Sequence, residues 1–414
     1  MAWLYLLVSV VLAALTYNVY HPMRRSGVGA VISFGLGMVS AELALHHVAW
    51  QALLTVAFVA HGALDGFAGK LGLGISVISW TALAGHYLRA YEVRGVMERA
   101  LQDALGEDYL EQIRPELRPG LTRRVDWAWL LRVLSLNLPG VERVRGIRYT
   151  GTDQAPLKLD VYCPRGRPSG RPVLLQIHGG GYVMGSKQEQ GQPICKLMAA
   201  RGWVCVNANY RLSPRATFPD QLVDMKRAIA WIRDQISNYG GDPDFVIATG
   251  GSAGGHLSAM VALTPNEPRY QPGFEQVDTR VHACVPFYGF YDAADRQQLW
   301  LHPELGPLME RRVLKASFDE DPERYDRSSP LMLLSTEAPP FFVIHGAGDS
   351  LIAPRVSRHF TRAARATIEA PVAHAEIPGG QHAFDVFGSL RTQLVLHGVE
   401  RFLTWVYSRY LDRR

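Results

Sequence analysis

The sequence predicts an α/β protein: a mostly parallel eight-stranded sheet with helices on both faces, preceded by an all-α transmembrane region. Three observations carry this expectation. From Val141 onward, strand-like runs alternate with helical patterns, the spacing of βαβ units. Before residue 90 the only formal charges are Arg24, Arg25, Glu42, Asp65, Lys70 and Arg89, whereas beyond it charges are frequent. A glycine turn, Gly250-Gly251-Ser252-Ala253-Gly254-Gly255, follows the apolar run Phe245-Val246-Ile247-Ala248 and opens a helical segment.

The N-terminal region comes first. Residues 2–20 carry no charge and are long enough to span a bilayer as a helix. Arg24 and Arg25 follow this run instead of preceding it, and no small-residue cleavage site appears, so it reads as an uncleaved anchor. Two more apolar segments follow, 27–60, interrupted by Glu42, His46 and His47, and 71–88. The former is too long for one simple span and is expected to be a tilted helix or a re-entrant pair. With three spans, the positive-inside rule puts Arg24, Arg25 and the cluster Arg89, Arg94 and Arg99 on one side, the cytoplasmic one, together with everything after it. The expected division is 1–90 as membrane helices, 91–140 as linker or cap helices and 141–414 as the catalytic domain.

Ionisable groups inside a membrane are costly, which draws attention to Glu42, His46, His47 and His61. Glu42 and His46 are one helical turn apart and can pair. No recognised metal spacing occurs there, so these residues read as packing or polar glue between helices. Cys163, Cys195, Cys205 and Cys284 lie in apolar surroundings without close pairing, which fits a reducing compartment. A net charge of +5 without an aromatic-interleaved basic patch argues against a nucleic-acid partner.

Between the two regions, Trp127, Leu130, Leu131, Leu134 and Leu138 recur at helical spacing among Arg123, Arg124, Asp126 and Arg132. A helix packed on the catalytic core is the first reading; an acyl-binding cap and an interfacial helix are the alternatives. Strands are then expected at 144–149, 158–162, 173–178, 203–207, 245–249, 282–287, 341–345 and 373–377. Helices are expected at 189–201, 220–239, 253–263, 354–366 and 390–411. The first two strands should be antiparallel, and the long irregular stretch 289–335 should belong to a pocket wall.

The chemistry follows from strand ends. A serine on a strand–turn–helix elbow is exposed as a nucleophile, but its hydroxyl needs a base that a carboxylate orients. The strand at 341–345 leads into Gly346-Ala347-Gly348-Asp349, and that at 373–377 into Pro378-Gly379-Gly380-Gln381-His382. Ser252, Asp349 and His382 thus fall in the chain order of an α/β-hydrolase triad. His382 would take the serine proton and return it to the leaving alcohol, and Asp349 would fix its tautomer. Upstream, His178-Gly179-Gly180-Gly181-Tyr182 follows another strand and can offer backbone N–H groups to an oxyanion. Ala253 adds an N–H at a helix N-terminus. His345, before Asp349, is a rival base and is expected to be structural.

With Tyr210-Arg211-Leu212-Ser213-Pro214 and Gly254-Gly255-His256-Leu257 added, these motifs resemble the hormone-sensitive-lipase-like branch of α/β-hydrolase esterases, over roughly Val141 to the C-terminus. The resemblance implies a serine carboxylesterase or lipase without a cofactor or metal, with oxyanion donors at Gly180, Gly181 and Ala253. One departure stands out: Gly251 occupies the position before the nucleophile, often Asp or Thr in such enzymes. Gly348-Asp349-Ser350 is also similar to feruloyl-esterase and arylformamidase-like members. A membrane-anchored esterase for a hydrophobic small-molecule ester is the leading expectation. An aryl formamide or amide hydrolase on the same fold is the second, and a catalytically silent binding module, against which the intact triad argues, is the third.

Overall fold

The computed structural model describes residues 1–414 except 25–26, 122–124, 132–137 and 152–154. Arg25, Arg123, Arg124, Arg132 and Leu134 therefore lie outside the described residues. Helices α1 (Ala2–Tyr20), α2 (Val28–Glu42), α3 (Ala44–Ala60) and α4 (Phe67–Leu88) form the N-terminal region. α1 and α4 run side by side in the same direction. Tyr5 Oη meets Ser76 Oγ at 3.3 Å, Thr16 Oγ1 meets Ser79 Oγ at 2.6 Å, and Tyr20 Oη donates to the Ala82 carbonyl at 2.6 Å. Small residues permit this closeness: a Cβ added at Gly72 would stand 3.2 Å from Leu6 Cα.

Parallel neighbours require the chain to return between them. α3 makes that return, antiparallel to α4, with Trp80 Nε1 donating to Gln51 Oε1 at 3.0 Å and Tyr5 Oη to Thr55 Oγ1 at 3.2 Å. α2 and α3 meet at a bend of 88°, so segment 27–60 is a bent pair and not one tilted helix. α2 lies across the end where α1 finishes, since Asn18 Nδ2 donates to the Ser33 carbonyl at 2.7 Å. α1 and α4 are each long and apolar enough to cross a membrane, and the bent pair is a third candidate if it counts as one span.

A single 3-10 turn joins α4 to α5 (Glu92–Leu105), giving one rod of 39 residues, Phe67–Leu105. Val93, Met97, Ala100 and Leu101 of α5 are buried in the core of the following domain. In the short α6 (Trp127–Leu131), Trp129 and Leu130 are buried while Trp127 and Leu131 are exposed.

Eight strands make one sheet: β1 (Val141–Gly151), β2 (Pro156–Pro164), β3 (Arg171–Ile177), β4 (Val204–Ala208), β5 (Gly241–Gly251), β6 (Cys284–Phe287), β7 (Phe341–Gly346) and β8 (Val372–Ile377). Their order is β1-β2-β4-β3-β5-β6-β7-β8. β2 is antiparallel to both β1 and β4, and all later pairings are parallel. The central strands are mostly apolar because both faces are covered. Val173, Leu175, Val246 and Ala248 enter the core beneath α8 (Asp220–Gln235), α9 (Ala253–Leu263) and α12 (Pro354–Thr367). Leu174, Phe245 and Ile247 face the core shared by α5, α7 (Gln192–Ala200) and α13 (Leu390–Asp412).

Candidate active site

Ser252 stands between β5 and α9 with φ 58° and ψ −121°, a conformation costly for a residue with a side chain. The glycines around it are sterically required. A Cβ at Gly250 would lie 2.4 Å from the Gly254 carbonyl oxygen, and one at Gly254 would lie 2.1 Å from that of Ile177. Gly251, the departure noted above, has a specific cause. A Cβ there would meet the Tyr288 hydroxyl at 2.5 Å, so this chain fills with a tyrosine the space that an Asp or Thr would need.

The glycine loop after β3 lies against the elbow. A Cβ on Gly179 would come within 3.0 Å of Ser252 Cβ. Gly180 and Gly181 have φ of 113° and 59°, and among the described residues their N–H groups meet no acceptor. Gly179 N donates to Gln190 Oε1 at 2.6 Å. The His178 ring stacks on Tyr210 with centroids 4.2 Å apart, and Tyr210 Oη donates to the His178 carbonyl at 3.0 Å. His256 places Nε2 2.8 Å from the Ser328 carbonyl, so that nitrogen carries the proton and Nδ1 accepts from Tyr182 Oη. Burial brings both His178 and His256 down to about 4, which keeps them neutral. The tyrosines and histidines of the three sequence motifs are thus the scaffold of the loop.

Asp349 and His382 follow the adjacent strands β7 and β8, whose register pairs Gly346 with Ile377. His382 Nδ1 donates to Asp349 Oδ2 at 2.7 Å. Asp349 Oδ1 accepts from the N–H groups of Leu351 and Ile352, both at 2.8 Å. Burial alone would raise this carboxyl, but His382 and His345 outweigh it and hold the group well below the usual carboxylate range. His345 is not merely a core side chain, because its Nε2 lies 3.1 Å from Asp349 Oδ2.

Four neighbours carry no sequence motif of their own. Gln381 Oε1 accepts from the N–H of Ser350 at 2.7 Å and from that of His382 at 2.8 Å, tying the Asp349 loop to the His382 loop. Only its place beside His382 hints at this. The Tyr288 ring stands 4.6 Å from that of His382, while its hydroxyl abuts Gly251 and donates to Asp385 Oδ1. Burial pushes that hydroxyl well above its ordinary pKa and keeps it a donor. Phe34 of α2 presents an edge to His382, with centroids 5.8 Å apart and planes at 76°. Leu308, from α10 (Leu305–Leu308) within the long stretch 289–335, is 3.8 Å from where a Gly181 Cβ would lie.

A family model described as BD-FAE matches residues 159–363. The chain is 39% identical to "Probable carboxylic ester hydrolase LipM" of Mycobacterium tuberculosis, over 97% of this chain and 93% of that protein. It is 37% identical to "Esterase LipQ" of the same organism, over 77% of this chain and 76% of that one. Among solved structures, the butyrate-bound thermophilic esterase Est2 of Thermogutta terrifontis superposes with a TM-score of 0.53 at 26% identity, covering 64% of this chain and 94% of that chain. The LipM similarity, spanning nearly the whole chain, takes in the apolar helices as well as the sheet. These likenesses set aside the silent binding module. The chain belongs to this hormone-sensitive-lipase-like family of α/β-hydrolase esterases, and it is a carboxylic ester hydrolase.

Proposed function

We propose that the chain is a membrane-anchored serine esterase that works through an acyl-enzyme on Ser252. His382 takes the Ser252 proton as the hydroxyl attacks the ester carbonyl, and then delivers a proton to the departing alcohol. Water repeats the cycle to release the acid. Asp349 holds Nδ1–H and stabilises the imidazolium. Gly180, Gly181 and Ala253 donate N–H groups to the oxyanion, a contribution worth about two to three orders of magnitude in rate per donor. The observation that carries this reading is the 2.7 Å His382–Asp349 hydrogen bond on the loops after β7 and β8; Ser252 is held at φ 58° on the elbow after β5.

The hydrophobic class of substrate follows from the N-terminal region. α1 and α4 meet the length and hydropathy of spans, α3 returns between them, and Arg24 and Arg89 stand near the ends of α1 and α4 that reach the same side. Three passes with the sheet domain on the cytoplasmic side account for this arrangement and for four free buried cysteines. Carbonate-washed membranes should retain the protein. Turnover of p-nitrophenyl esters should rise as the acyl chain lengthens beyond acetate; strict preference for acetate, or release by carbonate, would sink the hydrophobic-substrate reading.

A further inference from the structure

The contacts of α2 reach from the apolar helices into the catalytic loop at two points. Midway along it, Phe34 is half-buried and sets its edge against the His382 ring, which Tyr288 also faces with a centroid 4.6 Å away. The imidazole therefore has an aromatic neighbour from the sheet domain and another from the N-terminal region. At its C-terminal end, Glu42 is buried and forms an ion pair with Arg391, a side chain itself only 2% exposed. Glu42 Oε2 also accepts from the Ser389 hydroxyl at 2.6 Å, where Ser389 caps α13.

Arg391 passes this connection on. Its Nε donates to the Pro378 carbonyl at 3.0 Å, and its Nη2 lies 3.0 Å from His86 Nε2 on α4. There is no slack between these groups: a Cβ on Gly379 would fall 2.9 Å from the His86 ring and 3.0 Å from Arg391 Nη2. Pro378 and Gly379 open the loop that ends in His382. The base of the site is thus gripped at its ring by Phe34 and at the root of its loop by Arg391, and Glu42 is the buried counter-charge that keeps the guanidinium in place.

Resting on the catalytic reading above, we propose that α2 is a working part of the active site: Phe34 and, through Arg391, Glu42 are positioning residues for His382. The N-terminal helices then do more than fix the enzyme's location. Because α2 lies across the end of the apolar helices and also touches the catalytic base, a membrane-seated helix sets the geometry of proton transfer. Proton transfer is steep in distance, and displacing a catalytic group by about 1 Å can cost about a hundredfold in rate.

The test uses the full chain in detergent, with active sites counted by the end-point of fluorophosphonate labelling. In Phe34→Ala, kcat per labelled site on p-nitrophenyl butyrate and the phosphonylation rate constant should fall together by about tenfold or more, with KM changed less than about twofold. Phe34→Tyr, which keeps the ring, should restore both. Glu42→Gln should reproduce the fall; if that variant does not fold, the Phe34 pair decides alone. Unchanged kcat and labelling rate in Phe34→Ala, or a change confined to KM and acyl-chain preference, would overturn the proposal and leave the triad standing. A wild-type protein that takes no label would overturn the triad reading and this proposal with it.

Discussion

His345 Nε2 and His382 Nδ1 converge on one atom, Asp349 Oδ2, at 3.1 and 2.7 Å. His345 Nε2 is also 2.9 Å from the Ile352 carbonyl, so it carries a proton and points it between two acceptors, while Nδ1 faces the Ser357 hydroxyl. His345, expected to be structural, is a second donor to Asp349.

Removing that donor should be felt in two readouts. In His345→Leu a fully buried carboxylate loses a charge-assisted partner, worth about 1.5–3 kcal/mol. The urea midpoint should fall accordingly. kcat should fall with it, because Asp349 is then freer to turn away from His382. A variant with wild-type kcat and midpoint would show that the contact is idle.

Gly251 and Tyr288 should be coupled. Gly251→Ala drives a methyl group into the Tyr288 hydroxyl, with a cost of about 1–3 kcal/mol for an overpacked site. Tyr288→Phe removes the nearest atom of that contact, so the double variant should lose less than the sum of the single losses. Strict additivity of the two melting shifts would contradict this explanation for the glycine.

Acidification should destabilise the fold through two buried histidines. His178 and His256 have folded values of about 4, against 6.5 for an ordinary histidine, because burial disfavours their charged forms. Between those limits the unfolded chain binds protons that the folded chain refuses, so stability is full above about pH 6.5 and falls as pH drops toward 4. Denaturation midpoints measured at pH 7 and pH 5 should differ in that direction. His256→Gln, less stable at both pH values, should show a smaller difference; an equal one would remove His256 from the account.

The parts of this molecule legible in the sequence are those with local signatures. Eight strands betray themselves as short apolar runs, and Ser252, Asp349 and His382 sit just past three of them, so period and punctuation suffice. β1 runs from Val141 to Gly151, longer than its apolar segment, because pairing with β2 extends into polar residues. What could not be read depends on contacts between distant positions. Glu42 has a candidate partner one turn away in His46, yet its partner is Arg391, 349 residues along the chain. Gly251 departs from the family pattern because Tyr288, whose position no motif marks, occupies the space. Phe34 is one apolar residue among many in α2, and only the fold sets it apart.

The most direct test of the central claim is covalent. Incubating the full chain with a fluorophosphonate and digesting it should yield one modified peptide, carrying the phosphonyl adduct on Ser252, with ester hydrolysis lost in proportion to labelling. Ser252→Ala should take no label and should retain no hydrolysis above background. An intact, folded protein that hydrolyses esters while Ser252 stays unmodified, or a Ser252→Ala variant that keeps its activity, would contradict the account.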